Sequence, residues 1–279
     1  MHDLVRALLR FAGTAAGWIA FVLLVLVWGA LVVPATLLLA RRWPGVRERF
    51  ASLTAGAIGL YLRALPFLRF RVEGAERRLR GGRIVVANHA SRLDSPLLIA
   101  IEPGLAGPVR GYMLRVPGVG GVIRLLGFFD ADAGEAASFD ALQRAAAHAR
   151  AHGAGLLFYP EGTRSRDGEI GSFRRGAFRA AVDHGLPLQP VLIDGLDAVL
   201  PPGSVIAQKD RSHLVRVRYL EPLRPPYDEG PRRDVVRALA ERVRRDMQAE
   251  LARMRTERRE GAQQRSGDPR HARPPEPGH

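Results

Sequence analysis

The chain has 279 residues, no cysteine and a formal charge of +14 at pH 7. That length fits one moderately large domain with appendages and can bury a core without covalent staples. The missing cysteine excludes disulfides, thiolate metal sites and covalent catalysis through a thiol. The charge balance favours anionic partners, although Lys209 is the only lysine and the arginine bias is also what a GC-rich genome produces.

Phe11 to Ala40 carry no charged side chain. As a helix this stretch would reach about 45 Å, more than the roughly 30 Å hydrocarbon core of a bilayer. It is too long for the apolar core of a cleaved signal peptide. Arg6 and Arg10 precede it, and the heavier cluster Arg41, Arg42, Arg47 and Arg49 follows it. That asymmetry predicts a cytoplasmic-membrane protein with its main domain facing the cytoplasm. Pro34 predicts an end or a kink. A second apolar stretch, Ala51 to Phe70, is interrupted by Arg63, with a helix ending near Pro66. Residues 1–70 thus read as two membrane-anchoring helices. They form either a spanning helix plus an interfacial one, or a hairpin dipped into one leaflet.

From Arg71 the texture changes. Short apolar runs predict strands at 83–87, 109–114, 126–130, 155–159, 188–193 and 214–219. Helical spacing predicts helices at 94–101 and 135–152. The alternation predicts an α/β domain over 71–230, with a mixed, mostly parallel sheet flanked by helices. Residues 231–260 form a basic amphipathic helix. Its stripe of Val235, Leu239, Val243, Met247, Leu251 and Met254 either packs on the domain or lies on anionic lipid. The segment 261–279, rich in Gly, Pro, Gln and Arg, predicts a disordered tail.

Two segments carry the chemistry. His89 and Asp94 follow the apolar run 84–87, at a strand end where catalytic groups sit in α/β sheets. Five residues turn about 500° on a helix, so the two can meet only across a loop. There Asp94 could hold one ring nitrogen as a donor and leave the other free as a general base. The second segment is Tyr159-Pro160-Glu161-Gly162-Thr163-Arg164-Ser165, after strand 155–159. Gly162 permits an unusual backbone angle, and Arg164 offers a forked cation suited to phosphate. Glu161 could bind a substrate hydroxyl or position Arg164. A hydrolase using Ser91 or Ser95 with His89 is the rival enzyme reading; it lacks a Gly-x-Ser-x-Gly elbow.

Asn88-His89-Ala90-Ser91-Arg92-Leu93-Asp94 followed by the 159–165 segment resembles the glycerolipid acyltransferase family, which includes the 1-acylglycerol-3-phosphate acyltransferases. The resemblance extends to Phe173-Arg174-Arg175-Gly176-Ala177-Phe178 and to Leu186-Pro187-Leu188-Gln189-Pro190-Val191. It implies transfer of a fatty acyl group to a lysophospholipid hydroxyl in membrane lipid biosynthesis. His89 would be the base, Asp94 its partner, and Glu161, Gly162, Thr163 and Arg164 the acceptor site. The donor would be a thioester of acyl carrier protein or coenzyme A, with membrane lipids as the other partners. Neither a metal nor a redox cofactor is implied, and the spread arginines with few aromatics between them argue against nucleic acid.

One departure stands out. Where the family's second block resembles a strand ending in a basic residue, this chain has Gly127-Phe128-Phe129-Asp130-Ala131-Asp132. The acceptor phosphate then falls to Arg110, Arg115 or Arg124, or the acceptor is another lysolipid, such as lyso-ornithine lipid. A non-enzymatic membrane-surface binding protein is the remaining alternative.

Overall fold

Ile84-Val85-Val86-Ala87 forms a strand whose two faces are both covered, which is why it reads as an unbroken apolar run. The computed structural model describes residues 2–209, 213–225 and 231–267. Its strands are β1 (Leu68–Glu73), β2 (Arg83–Ala87), β3 (Leu105–Ala106), β4 (Pro108–Val109), β5 (Phe129–Asp130), β6 (Gly155–Phe158), β7 (Leu188–Asp194) and β8 (His213–Tyr219). Six of them form one sheet in the order β1-β8-β7-β2-β6-β3, while β4 and β5 pair with each other. Every pairing in the large sheet is parallel except β7 with β8. The sheet is therefore mixed and mostly parallel, as expected.

The helices are α1 (His2–Val27), α2 (Val33–Leu39), α3 (Val46–Ala64), α4 (Asp94–Ile101), α5 (Val119–Leu125), α6 (Glu135–His152), α7 (Gly176–His184), α8 (Leu196–Val199) and α9 (Arg232–Gly267). Ile84 and Val86 face a core shared with α6, α7 and α9. Val85 and Ala87 face the opposite core, shared with α3, α4 and α8. Because β7, β2 and β6 are adjacent and parallel, the segments after residues 87, 158 and 194 leave the sheet at one end. That end collects the two chemical segments.

Several elements differ from expectation. Residues 109–114 are not a strand: after Val109 the chain turns, and Met113–Arg115 forms a 3-10 turn. Gly111 lies against the Asp130 carboxylate there, which leaves no room for a side chain. Residues 126–130 shrink to Phe129–Asp130, because Gly127 takes φ +91° just after α5. The end of the second apolar stretch is strand β1 rather than helix: Leu68, Phe70 and Val72 alternate with Arg69, Arg71 and Glu73 in the pattern of a half-exposed edge.

Pro34 does not end the first helix. A π-turn at Trp28–Val32 joins α1 to α2, a wide turn that accommodates a ring with no N–H to donate. The resulting helix, Leu4–Leu39, is long and apolar enough to cross a membrane, with only 11% of its most apolar window buried. It does not project away from the domain. Gly13 and Gly17 approach Pro66 and Leu65, Trp28 Nε1 donates to Thr54 Oγ1 at 3.0 Å, and Gly29 approaches Gly118. Val33 reaches Gly121. Contact thus runs from residue 13 to residue 33, about 30 Å of helix.

The stripe of α9 is buried throughout, from Val235 at 8% exposed to Met254 at 0%. It packs on the domain, so the reading that lays this stripe on lipid is corrected. The predicted tail is also shortened: the helix runs on to Gly267, and residues 268–279 lie outside the described residues.

Acid tests the seam between α9 and the sheet. Arg216 and Arg218 of β8 bind Glu73 of β1 and Glu257 of α9, with Arg216 Nε–Glu73 Oε1 at 2.7 Å and Arg218 Nη2–Glu257 Oε2 at 2.8 Å. Hydrogen bonds from Arg218 and Arg216 hold the Glu257 carboxyl down to about 2. Glu73 is raised by burial, but the two arginines outweigh this and its carboxyl is also lowered. A depressed carboxylate contributes stability above its unfolded value, and that stability is lost as pH falls through its folded value. The melting temperature in detergent is therefore expected to fall between about pH 4.5 and pH 2. Glu257→Gln should flatten that slope; an unchanged slope would exclude Glu257 as its source.

Candidate active site

Asp94 opens α4, and the loop from Asn88 to Leu93 folds back over it. Asn88 fixes the loop's root: its side chain donates to Ile193 O at 3.0 Å and accepts from Ile193 N at 2.8 Å, tying the end of β2 to β7. One oxygen of Asp94, Oδ2, receives three hydrogen bonds. These come from Ala90 N at 2.8 Å, Ser91 N at 2.7 Å and the His89 ring at Nδ1, 2.7 Å. A fully buried carboxylate is held this way by backbone donors and by the positive end of its own helix. With Nδ1–H donating to Asp94, the lone pair of His89 lies on Nε2, which has no hydrogen-bond partner among the described residues. The imidazole is 22% exposed and lies flat on the Tyr159 ring, centroids 4.1 Å apart and planes inclined by 21°.

The turn after β6 grips the backbone of His89 from both sides. Glu161 Oε1 accepts from His89 N at 3.1 Å, and Ser165 N donates to His89 O at 2.7 Å. The other oxygen of Glu161 accepts from Gly171 N at 3.1 Å. Glu161 thus joins two loops. Burial pushes its carboxyl above the ordinary value, against the N–H groups of Gly171 and His89, which act to lower it. Gly162 has φ +72°, in the left-handed region. A Cβ there would also lie 2.5 Å from Arg174 Nε, so a side chain at this position would displace that guanidinium.

This geometry agrees with the comparisons. The family model described as "Acyltransferase" matches residues 69–194, which contain both segments. The 1-acyl-sn-glycerol-3-phosphate acyltransferase alpha of Bos taurus is 30% identical over 210 residues, covering 72% of this chain and 69% of that protein. The chain belongs to the glycerolipid acyltransferase family. A chloroplastic 1-acyl-sn-glycerol-3-phosphate acyltransferase of Arabidopsis thaliana is 30% identical over 160 residues; the match covers 56% of this chain but only 44% of that protein. The crystal structure of the 1-acyl-sn-glycerophosphate (LPA) acyltransferase PlsC from Thermotoga maritima superposes with a TM-score of 0.69 at 25% identity. It covers 88% of this chain and 98% of that one.

Within this chain, the basic residues named from sequence separate into two groups. Arg110 pairs with Asp132 at 3.0 Å, and the same carboxylate accepts from Gly111 N at 3.1 Å. Asp130 Oδ1 accepts from Asp132 N at 2.7 Å, so both aspartates shape the neighbouring turns. Arg124 donates to Leu114 O. By contrast, Arg164 and Arg115 have no ion-pair or hydrogen-bonding side-chain partner among the described residues; Arg164 is half-buried and Arg115 exposed. Thr163 is exposed and makes only a long contact, 3.5 Å, to Arg164 O.

Arg174 was not among the sequence candidates. Its N–H donates to Pro160 O at 2.7 Å, and its guanidinium lies over Gly162 without a carboxylate partner among the described residues. The signal was present in the basic-basic-glycine run 174–176, but the fold of the loop was needed to see which arginine meets the turn. Arg255 of α9 was also missed. It donates to Gly168 O at 2.6 Å and pairs with Glu169, bracing the loop that carries Arg164. The serines do not support a hydrolase. Ser91 is buried and donates to Leu200 O at 2.8 Å, and Ser95 donates to Tyr159 Oη at 3.1 Å.

Proposed function

We propose that this chain transfers a fatty acyl group from an acyl thioester, on acyl carrier protein or coenzyme A, to the free hydroxyl of a lysophospholipid-like acceptor, with 1-acylglycerol-3-phosphate as that acceptor. The observation that carries the reading is the His89–Asp94 pair, fastened to a glycine turn beside Arg164 and Arg174, with Nε2 and both guanidinium groups unpaired among the described residues. Nε2 takes the acceptor hydroxyl proton as that oxygen attacks the thioester carbonyl. The tetrahedral oxyanion collapses and expels the thiolate, which takes the proton back from the imidazolium. The Asp94 carboxylate stabilises the imidazolium between these two transfers. Arg164 and Arg174 hold the acceptor phosphate through charge-assisted hydrogen bonds.

The membrane arrangement follows from the way α1 is docked. Were the helix to cross the bilayer, 30 Å of attached domain would enter the hydrocarbon with it. Lengthwise docking therefore supports entry into one leaflet, and the cluster Arg41, Arg42, Arg47 and Arg49 supports the cytoplasmic side of the cytoplasmic membrane for the domain. Asp130 and Asp132 had favoured a zwitterionic acceptor such as lyso-ornithine lipid. Asp132 is paired to Arg110, which offsets one of the two charges; Asp130 packs on Gly111 and has no ion-pair partner among the described residues.

The purified chain in mixed micelles should acylate lysophosphatidate, and Arg174→Gln should raise the acceptor KM about tenfold to a hundredfold, the usual worth of a hydrogen bond to a charged group. Transfer to lyso-ornithine lipid alone would overturn the choice of acceptor.

A further inference from the structure

The loop after α8 exposes two aliphatic side chains side by side, Val205 at 52% and Ile206 at 43%. It is not a loose loop. Ser204 Oγ donates to Ile206 O at 2.8 Å and accepts from Ile206 N at 3.1 Å, and Gln208 N donates to Val199 O at 2.8 Å. It is also fastened to the apolar helix at two points. Trp18 Nε1 donates to Val205 O at 2.8 Å, and Ala207 N donates to Thr14 Oγ1 at 3.1 Å. Next to those anchor points on α1, Ile19 and Val22 are exposed at 62% and 51%. The loop thus extends the apolar surface of α1 as a rigid neighbour.

We propose that residues 203–207 are a further lipid-contacting element, in which Val205 and Ile206 enter the same leaflet as α1. The inference rests on the membrane placement given under the proposed function. Its occupant is the lipid surface, because the patch is continuous with an uncovered apolar helix and held to it by hydrogen bonds. It also has a direct connection to the chemistry: Leu200, at the root of this loop, accepts the Ser91 hydroxyl at 2.8 Å, two residues from His89. Seating the loop in lipid would set the depth of the catalytic loop against the acceptor headgroups.

The absence of cysteine makes the test direct. Val205→Cys in the full chain gives one thiol for a polarity-sensitive fluorophore, and Arg253→Cys, on an outward-facing site of α9, gives a control. On phosphatidylcholine–phosphatidylglycerol vesicles, the label at 205 should shift to the blue and be quenched by lipids brominated on their acyl chains; the label at 253 should do neither. Water-like emission at 205, equal to that at 253, overturns the proposal. In a second measurement, Val205→Asp with Ile206→Asp should lower transfer to vesicle-embedded acceptor about tenfold and leave transfer to a monomeric short-chain acceptor unchanged. Equal loss on both acceptors would also overturn it. The same label at Ile19→Cys on α1 reports the placement itself: a blue shift at 19 with water-like emission at 205 overturns the loop proposal alone, and water-like emission at both overturns the placement as well.

Discussion

His89→Ala is expected to lose acyl transfer by about a hundredfold to ten-thousandfold, the usual contribution of a positioned general base. The substitution removes only the imidazole. The backbone bonds of residue 89 to Glu161 and Ser165 remain, and so do the bonds from Ala90 N and Ser91 N to Asp94. The sheet and α1 do not depend on this ring, which is 22% exposed and packs on Tyr159. The variant should therefore keep its melting temperature to within a few degrees and keep its vesicle binding. Imidazole added to the buffer should restore part of the rate, since the cavity left above Tyr159 is partly open to solvent. A variant retaining more than about a tenth of the wild-type rate would exclude His89 as the base. The same experiment separates the enzyme from a non-enzymatic membrane-surface binding protein, in which loss of this ring changes nothing measurable.

Much of this arrangement was legible from local pattern. The run that became β2 is apolar on both faces, β7 is so from Pro190 to Ile193, β8 alternates from Val215 to Tyr219, and α4 and α6 run over the predicted residues 94–101 and 135–152. The loop between His89 and Asp94 followed from helix geometry alone. What remained hidden depends on contacts distant in sequence. Glu161 reads as a substrate ligand until its oxygens are seen on His89 N and Gly171 N. Asp130 and Asp132 read as acidic residues standing where a basic one is expected, and only the fold shows Arg110 and Gly111 beside them. Arg255 lies outside the 69–194 segment, and no periodicity shows that its guanidinium will reach Gly168. The apolar stripe of α9 was readable as a stripe, but composition could not say whether sheet or lipid covers it.

Asp94→Asn should show how much of the rate comes from charge and how much from orientation. All three donors converge on one oxygen, Oδ2, while Oδ1 has no partner among the described residues. An asparagine can therefore place its carbonyl oxygen where Oδ2 stands. It keeps both backbone bonds and still accepts from Nδ1–H, so the proton stays on Nδ1 and Nε2 remains the base. What it loses is the negative charge that stabilises the imidazolium once the acceptor proton has moved. Its amide takes the place of an oxygen that is already unpaired, so the fold loses little stability there. Asp94→Ala loses everything at once: orientation, charge, and the acceptor for two buried N–H groups. Asp94→Asn is accordingly expected to lower kcat by about a hundredfold with little change in acceptor KM, and Asp94→Ala to fall at least as far as His89→Ala and to melt lower. The comparison rests on kcat and melting temperature measured for all three variants. Wild-type turnover by Asp94→Asn would mean that the carboxylate charge plays no part in the proton transfer. Asp94 would then be a scaffold for the loop rather than a partner in the reaction.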